Sequence, residues 1–108
     1  MSINFVTADH CVSTNYRGTL INTSYDTLIQ SFGLPTYTCE VDEADKVQVE
    51  WLIKFDDGTA ARIYDWKQVG TSPRMITEWN VGGCRKRGKM ALLHVRTVLL
   101  QNDNRRSA

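Results

Sequence analysis

Few side chains in this sequence are spaced for chemistry. The two histidines, His10 and His94, lie far apart along the chain. His94 falls on the polar arc of a C-terminal helical pattern, near Arg87 and Met90. A solvated imidazole is expected there rather than a general base. Cys11, Cys39 and Cys84 show no CxxC spacing and no HExxH pattern occurs, so neither a metal site nor a cofactor is expected. Asp56-Asp57 precedes Gly58. Adjacent turn residues point apart, and Asp is favoured in turns for its own hydrogen bonding. Asp65 and Glu78 could face each other across two strands, and they alone support a hydrolase reading. No catalytic residue is assigned, and a non-enzymatic protein is expected.

Two other sets suit binding. Gly82-Gly83-Cys84-Arg85-Lys86-Arg87 reads as the start of a helix, where backbone N–H groups, the helix dipole and bases could hold a phosphate. Bases at that end oppose the dipole by a few tenths of a kcal/mol, roughly, unless an anion is present. Gly83, Arg85, Lys86, Arg87 and Lys89 are the candidate anion-binding residues. The second set rests on the weight of Trp, Tyr and Arg in protein–protein hot spots. It comprises Leu52, Arg62, Tyr64, Trp66 and Trp79, whereas Trp51 is read as core.

A β-hairpin must position that second set. Val47, Val49, Trp51, Ile53 and Phe55 alternate with mostly polar residues, which marks a strand with one buried face. A two-residue Asp57-Gly58 turn would pair Ile53 with Arg62. A three-residue Asp56-Asp57-Gly58 loop pairs Phe55 with Thr59, Ile53 with Ala61 and Trp51 with Ile63. A one-residue slip inverts every side chain, so the three-residue loop is favoured. Glu50, Leu52, Lys54, Ala60, Arg62 and Tyr64 then form the outer face.

The remaining elements follow from punctuation. Thr23 or Ser24 caps a helix with Tyr25, Leu28, Ile29 and Phe32 on its apolar face; Gly33 and Pro35 end it. Residues 75–81 read as a strand with Met75, Thr77, Trp79 and Val81 on one side, ended by Gly82-Gly83, which leaves Ile76 on the outer face. A last helix over 86–101 carries Ala91, Leu92, Val95, Val98 and Leu99 on its main face. Residues 1–18 read as an arm or edge strands, 36–46 as an acidic connection, and 102–108 as a frayed tail. The order β-α-β-β-β-α predicts one α+β domain over 1–108: an antiparallel sheet of about four strands with two helices packed on one face.

Composition bounds the function. The chain has 108 residues, 42% of them hydrophobic and 23% charged, with a formal net charge of +1. That is ordinary globular composition, with no general pull toward nucleic acid or membrane. Acids cluster over 40–57 and bases over 85–108. No membrane span or secretion signal is read, and free thiols in a reducing cytoplasm are expected.

Ser24-Tyr25-Asp26-Thr27-Leu28, Phe32-Gly33-Leu34-Pro35, Trp51-Leu52-Ile53-Lys54-Phe55-Asp56-Asp57-Gly58 and Ile76-Thr77-Glu78-Trp79 with Gly82-Gly83 together form a pattern. Over about residues 18–84 it resembles a group of small uncharacterised α+β proteins encoded by tailed bacteriophages. The resemblance implies a phage accessory protein in the host bacterial cytoplasm. With the aromatic set, it leads us to expect a protein that binds and modulates a host protein, such as a defence system. A homodimer through the open sheet face is a further partner reading. The alternative is an anion or nucleic-acid binder that uses the basic helix start.

Overall fold

The computed structural model describes residues 4–7, 15–38, 47–83 and 88–107, with side chains of the last helix described over 90–103. In chain order the elements are β1 (Phe5–Thr7), β2 (Asn15–Leu20), α1 (Tyr25–Phe32), β3 (Tyr37–Thr38), β4 (Val49–Phe55), β5 (Ala60–Tyr64), β6 (Trp79–Gly83) and α2 (Gly88–Ser107). The strands form one antiparallel sheet in the order β1-β4-β5-β6-β2, and β3 also pairs with β4. The fold is therefore α+β, as the element order predicts.

The hairpin forms in the three-residue register. Trp51 lies opposite Ile63 and Ile53 opposite Ala61. Phe55 donates its N–H to the Thr59 carbonyl at 2.8 Å, and Gly58 donates to the Phe55 carbonyl at 2.9 Å. Gly58 takes a φ of 88°, the left-handed conformation that this loop requires.

One sheet face carries both helices. Trp51, Ile53, Phe55, Ala61, Ile63, Trp79 and Val81 form a single core with Leu28 and Phe32 of α1 and Ala91, Val95 and Val98 of α2. The two buried tryptophans also hold α1 at both ends. Trp79 Nε1 donates to the Thr23 carbonyl at 2.8 Å, and Trp51 Nε1 donates to the Gly33 carbonyl at 3.0 Å. The Tyr25 ring packs on both indoles, with centroids 5.8 and 6.2 Å away. Each such aromatic pair contributes about 0.5–1.5 kcal/mol beyond its buried area. Ser24 is the N-cap, accepting the Thr27 N–H at 3.1 Å. A helix this short would not persist in water without these tertiary contacts.

Several boundaries differ from expectation. The described sheet has six strands, not four. Phe5–Thr7 and Tyr37–Thr38 both line β4, so part of the supposed connection over 36–46 is strand; Cys11-Val12 and residues 39–46 lie outside the described residues. Residues 75–78 leave the sheet. Pro73–Met75 form a single 3-10 turn, in which Ile76 donates to the Pro73 carbonyl at 3.1 Å. Ile76 is consequently buried in the core and Met75 is exposed, so Ile76 is not on the outer face. Gly82-Gly83 are the last two residues of the strand rather than a break before its end. They lie in β6 between β2 and β5. Helix α2 starts at Gly88 and runs to Ser107, through the segment read as a frayed tail. The helix passes close over β2 at Gly18, where an added Cβ would fall 2.5 Å from Leu92 Cδ2. No helix among the described residues is long and apolar enough to cross a membrane.

Candidate functional site

The outer sheet face is built by the even positions of the hairpin. Glu50 lies opposite Tyr64 and Leu52 opposite Arg62, while Tyr64 also faces Asn80 of β6. The bulge between Tyr16 and Gly18 in β2 sets Tyr16 opposite Gly82 and Thr19 opposite Asn80, so both project on this face. No described helix packs here. The result is a groove of about 350 Å³ lined by Tyr16, Tyr64, Trp66 and Asn80.

The walls of this groove are ordered by specific contacts. The Tyr64 and Trp66 rings stand nearly perpendicular, at 87°, with centroids 6.2 Å apart. The Arg62 guanidinium lies 4.1 Å from the Tyr64 centroid. That cation is itself held by Glu50, with Nε–Oε1 at 2.8 Å and Nη2–Oε2 at 3.2 Å. The Tyr16 hydroxyl shares a 2.6 Å hydrogen bond with Thr19 Oγ1. Trp66 is 42% exposed and Tyr16 is 59% exposed. Lys67, whose ammonium lies 5.9 Å from the Trp66 ring centre, adopts a left-handed φ of 56°. For a residue with a Cβ that conformation costs roughly 1–2 kcal/mol, so the surroundings hold it in place.

Those surroundings include a buried polar clamp. Asp65 is fully buried. Its Oδ1 accepts the N–H groups of Gln48 at 2.8 Å and Val49 at 2.9 Å. The Gln48 Nε2 amide reaches the carbonyls of Gln68 and Thr71, each at 2.9 Å, and Asp65 Oδ2 at 3.3 Å. Two N–H bonds serve three acceptors, so the 3.3 Å contact is the weakest. The clamp closes the loop after β5 onto the start of β4 and so sets the position of Trp66. Asp65 does not pair with Glu78, which is exposed and whose carbonyl accepts from Gln68 at 3.0 Å. The acid pair considered for hydrolysis does not form.

A second polar contact was not legible. His94 is buried rather than solvated. Its Nε2 meets Asp57 Oδ2 at 2.6 Å, and its ring packs edge-on to Phe55 with centroids 5.0 Å apart. The pair pins the hairpin tip to α2. The hydrogen bond with His94 and then those with Thr59 hold the Asp57 carboxyl well below the usual carboxylate range. Sequence spacing carried no sign of this contact, because the partners lie on different elements.

The five expected partner residues divide sharply. Trp66 is exposed, and Tyr64 meets it at the groove although it is mostly buried there, while Arg62 lies over the Tyr64 ring and does not line the groove. Leu52 is buried and offers no surface. Trp79 is fully buried on the opposite face, where it holds α1. Tyr16 and Asn80, which complete the groove, were missed. Asn80 faces Tyr64 in the register, and that signal was available once β6 was paired with β5. Of the anion-binding set, Gly83 belongs to β6, where it pairs with Asn15 and Ala61, so it does not start a helix. Arg85, Lys86, Arg87 and the Lys89 side chain lie outside the described residues, as do Cys11, Cys39 and Cys84. Among the described residues, no group of three or more His, Cys, Asp or Glu is placed to hold a metal ion.

A second cavity, of about 480 Å³, lies between the β2–α1 connection and α2. Ile21, Leu99 and Leu100 line it, and both Arg96 and Asp103 stand at it, so its charges select no single ligand sign.

Fold and face together define a class: a small α+β protein with two helices on one side of an antiparallel sheet and an aromatic groove on the other. Searches against protein-family models, curated proteins and solved structures found no match.

Proposed function

We propose that this chain is a small bacteriophage accessory protein that binds a host protein in the bacterial cytoplasm and modulates it, with a defence component as the favoured target. It acts by docking and carries no catalysis of its own. The observation that supports this reading is the groove of Tyr16, Tyr64, Trp66 and Asn80 on the outer sheet face. The exposed rings of Tyr16 and Trp66 offer large contact area at low entropic cost, which is what binding hot spots require. The phage-like pattern over residues 18–84 supplies the context.

The test is affinity capture from a bacterial lysate with the tagged full chain, washed at high salt. Trp66→Ala and Tyr16→Ala are run beside the parent. Retention of one host protein by the parent and its loss from both variants is the expected result. Unchanged retention in both variants would dismiss the groove as the docking site. Light scattering on the purified chain separates this reading from a homodimer through the same face.

A further inference from the structure

We infer that the outer edge of β2 takes up an extended polypeptide segment as an added strand, with an apolar side chain of that segment lodged in the cavity below α2 and an acidic one beside Arg96. This site lies apart from the aromatic groove and stands without it.

The sheet ends at β2. Among the described residues this strand pairs with β6 alone, so alternate backbone N–H and C=O groups along its other side face outward. The opposite margin is made of β1 and β3, three and two residues long, whereas β2 has six and contains neither Lys nor Pro. Short strands, Lys and Pro are the devices that blunt a sheet edge. The bulge between Tyr16 and Gly18 leaves Gly18 to Leu20 as the regular stretch. Helix α2 crosses over it, for an added Cβ at Gly18 would fall 2.5 Å from Leu92 Cδ2. The cavity of about 480 Å³ lies at the same margin, with Thr19, Leu20 and Ile21 on one side and Arg96, Leu99 and Leu100 on the other. Ile21 is 64% exposed and Leu100 62%, two large apolar side chains that the fold itself leaves uncovered. A strand added about 4.8 Å beyond β2 would run along this cavity and turn every second side chain into it.

The chemistry of the cavity selects that occupant. Arg96 and Asp103 give it both signs, which suits neither a lone anion nor a lone cation. A fatty acyl chain would leave the amides of Asn22 and Asn102 facing hydrocarbon. A strand meets both needs, because its backbone satisfies the polar edge while its side chains alternate in character. Of the two charges, Asp103 has an interaction of its own, whereas Arg96 makes no ion pair among the described residues. An acid two positions from the apolar residue lies on the same face, about 7 Å along, and meets Arg96. A second copy of this chain fits less well. The inward residues of its β2 are Gly18, which has no side chain, and Leu20, which is already buried in its own core. Such a pairing would join two edges and leave the cavity empty.

The experiment uses the uniformly nitrogen-15-labelled full chain and a blocked peptide, Thr-Leu-Thr-Glu-Thr. The peptide is supplied unmodified, N-methylated at Leu and Glu, or N-methylated at every Thr. In a strand the N–H groups of alternate residues point to the same edge, so the two methylated forms block opposite edges. Two-dimensional spectra follow the backbone amides of Gly18, Thr19 and Ile21 and the indole N–H groups of Trp66, Trp51 and Trp79. We expect the unmodified peptide, at millimolar concentration, to move the β2-edge amides saturably. The indoles should stay in place, those of Trp51 and Trp79 being bonded to backbone carbonyls. One methylated form should bind as the unmodified peptide does, and the other at least about tenfold more weakly. Leu100→Asp, at an exposed position, should weaken the peptide about tenfold. Arg96→Glu should weaken it by about two- to fivefold, the range of an exposed ion pair.

No movement of the edge amides at millimolar peptide, or equal binding of the two methylated forms, overturns the inference. A shift of the Trp66 indole with the edge amides silent overturns it in favour of the groove. A dimer of the chain alone in light scattering, whose dissociation on dilution shifts the same edge amides, overturns it in favour of a second copy. The docking reading is tested apart from this, by host capture with Trp66→Ala, so the two fail independently.

Discussion

Replacing Asp65 tests how the groove is held. Its carboxylate is fully buried and accepts the backbone N–H groups of Gln48 and Val49 at 2.8 and 2.9 Å. Asp65→Ala strands both donors. Each buried unpaired donor costs about 1–3 kcal/mol, so a loss of about 3–4 kcal/mol is expected for the pair. Asp65→Asn keeps an oxygen for the two amides but turns an NH₂ group toward Gln48 Nε2, now 3.3 Å from Oδ2; about 1–2 kcal/mol is expected. A domain of this size loses roughly 4 °C in Tm per kcal/mol, so the alanine variant should melt roughly 12–16 °C lower. The assay is urea unfolding at neutral pH, where the midpoint should fall with an unchanged slope. Glu78→Ala is the control. Its side chain is exposed, and its effect should stay within about 0.5 kcal/mol. An Asp65→Ala chain as stable as that control would refute the clamp.

Three further outcomes follow from the same geometry. Gly58→Ala should cost about 1–2 kcal/mol from backbone conformation alone, since nothing lies within 4 Å of the added Cβ at a φ of 88°; an unchanged urea midpoint would contradict the hairpin loop. Gly18→Ala should cost about 1–3 kcal/mol by pressing on Leu92. Combining it with Leu92→Ala should give a total smaller than the sum of the single effects, and strict additivity would rule out the contact. Asp57 binds a proton less readily folded than unfolded, because His94 and then Thr59 hold its carboxyl below the usual range. Its stabilising effect is present above an unfolded value of about 4 and fades as pH falls below it. Asp57→Asn should therefore flatten the acid limb of the Tm–pH profile; parallel limbs in parent and variant would discount the pair.

The outer face shows where tertiary context overruled pattern. Period-2 alternation assigned Arg62 and Tyr64 correctly, because strand geometry sends successive side chains to opposite faces whatever lies nearby. The same alternation failed at Met75 and Ile76, where Pro73 starts a 3-10 turn and shifts the phase. It also could not tell that Trp79 is wholly buried while Trp66, beyond the end of β5, is exposed. His94 scored as polar on a helical wheel, yet the hairpin tip covers it and supplies Asp57.

What the sequence determined by itself is local. The loop Asp56-Asp57-Gly58 set the hairpin register, Ser24 and Gly33 bounded α1, and the apolar spacing of Ala91, Val95 and Val98 chose the buried face of α2. Each depends on residues within a turn or two of one another. Only the tertiary structure decided that β2 lies beside β6, that Asp65 meets Gln48, and that Tyr16 and Asn80 close a groove with Trp66. Those contacts join residues far apart in the chain. Their energies depend on the packing of whole elements against one core, which no local spacing encodes.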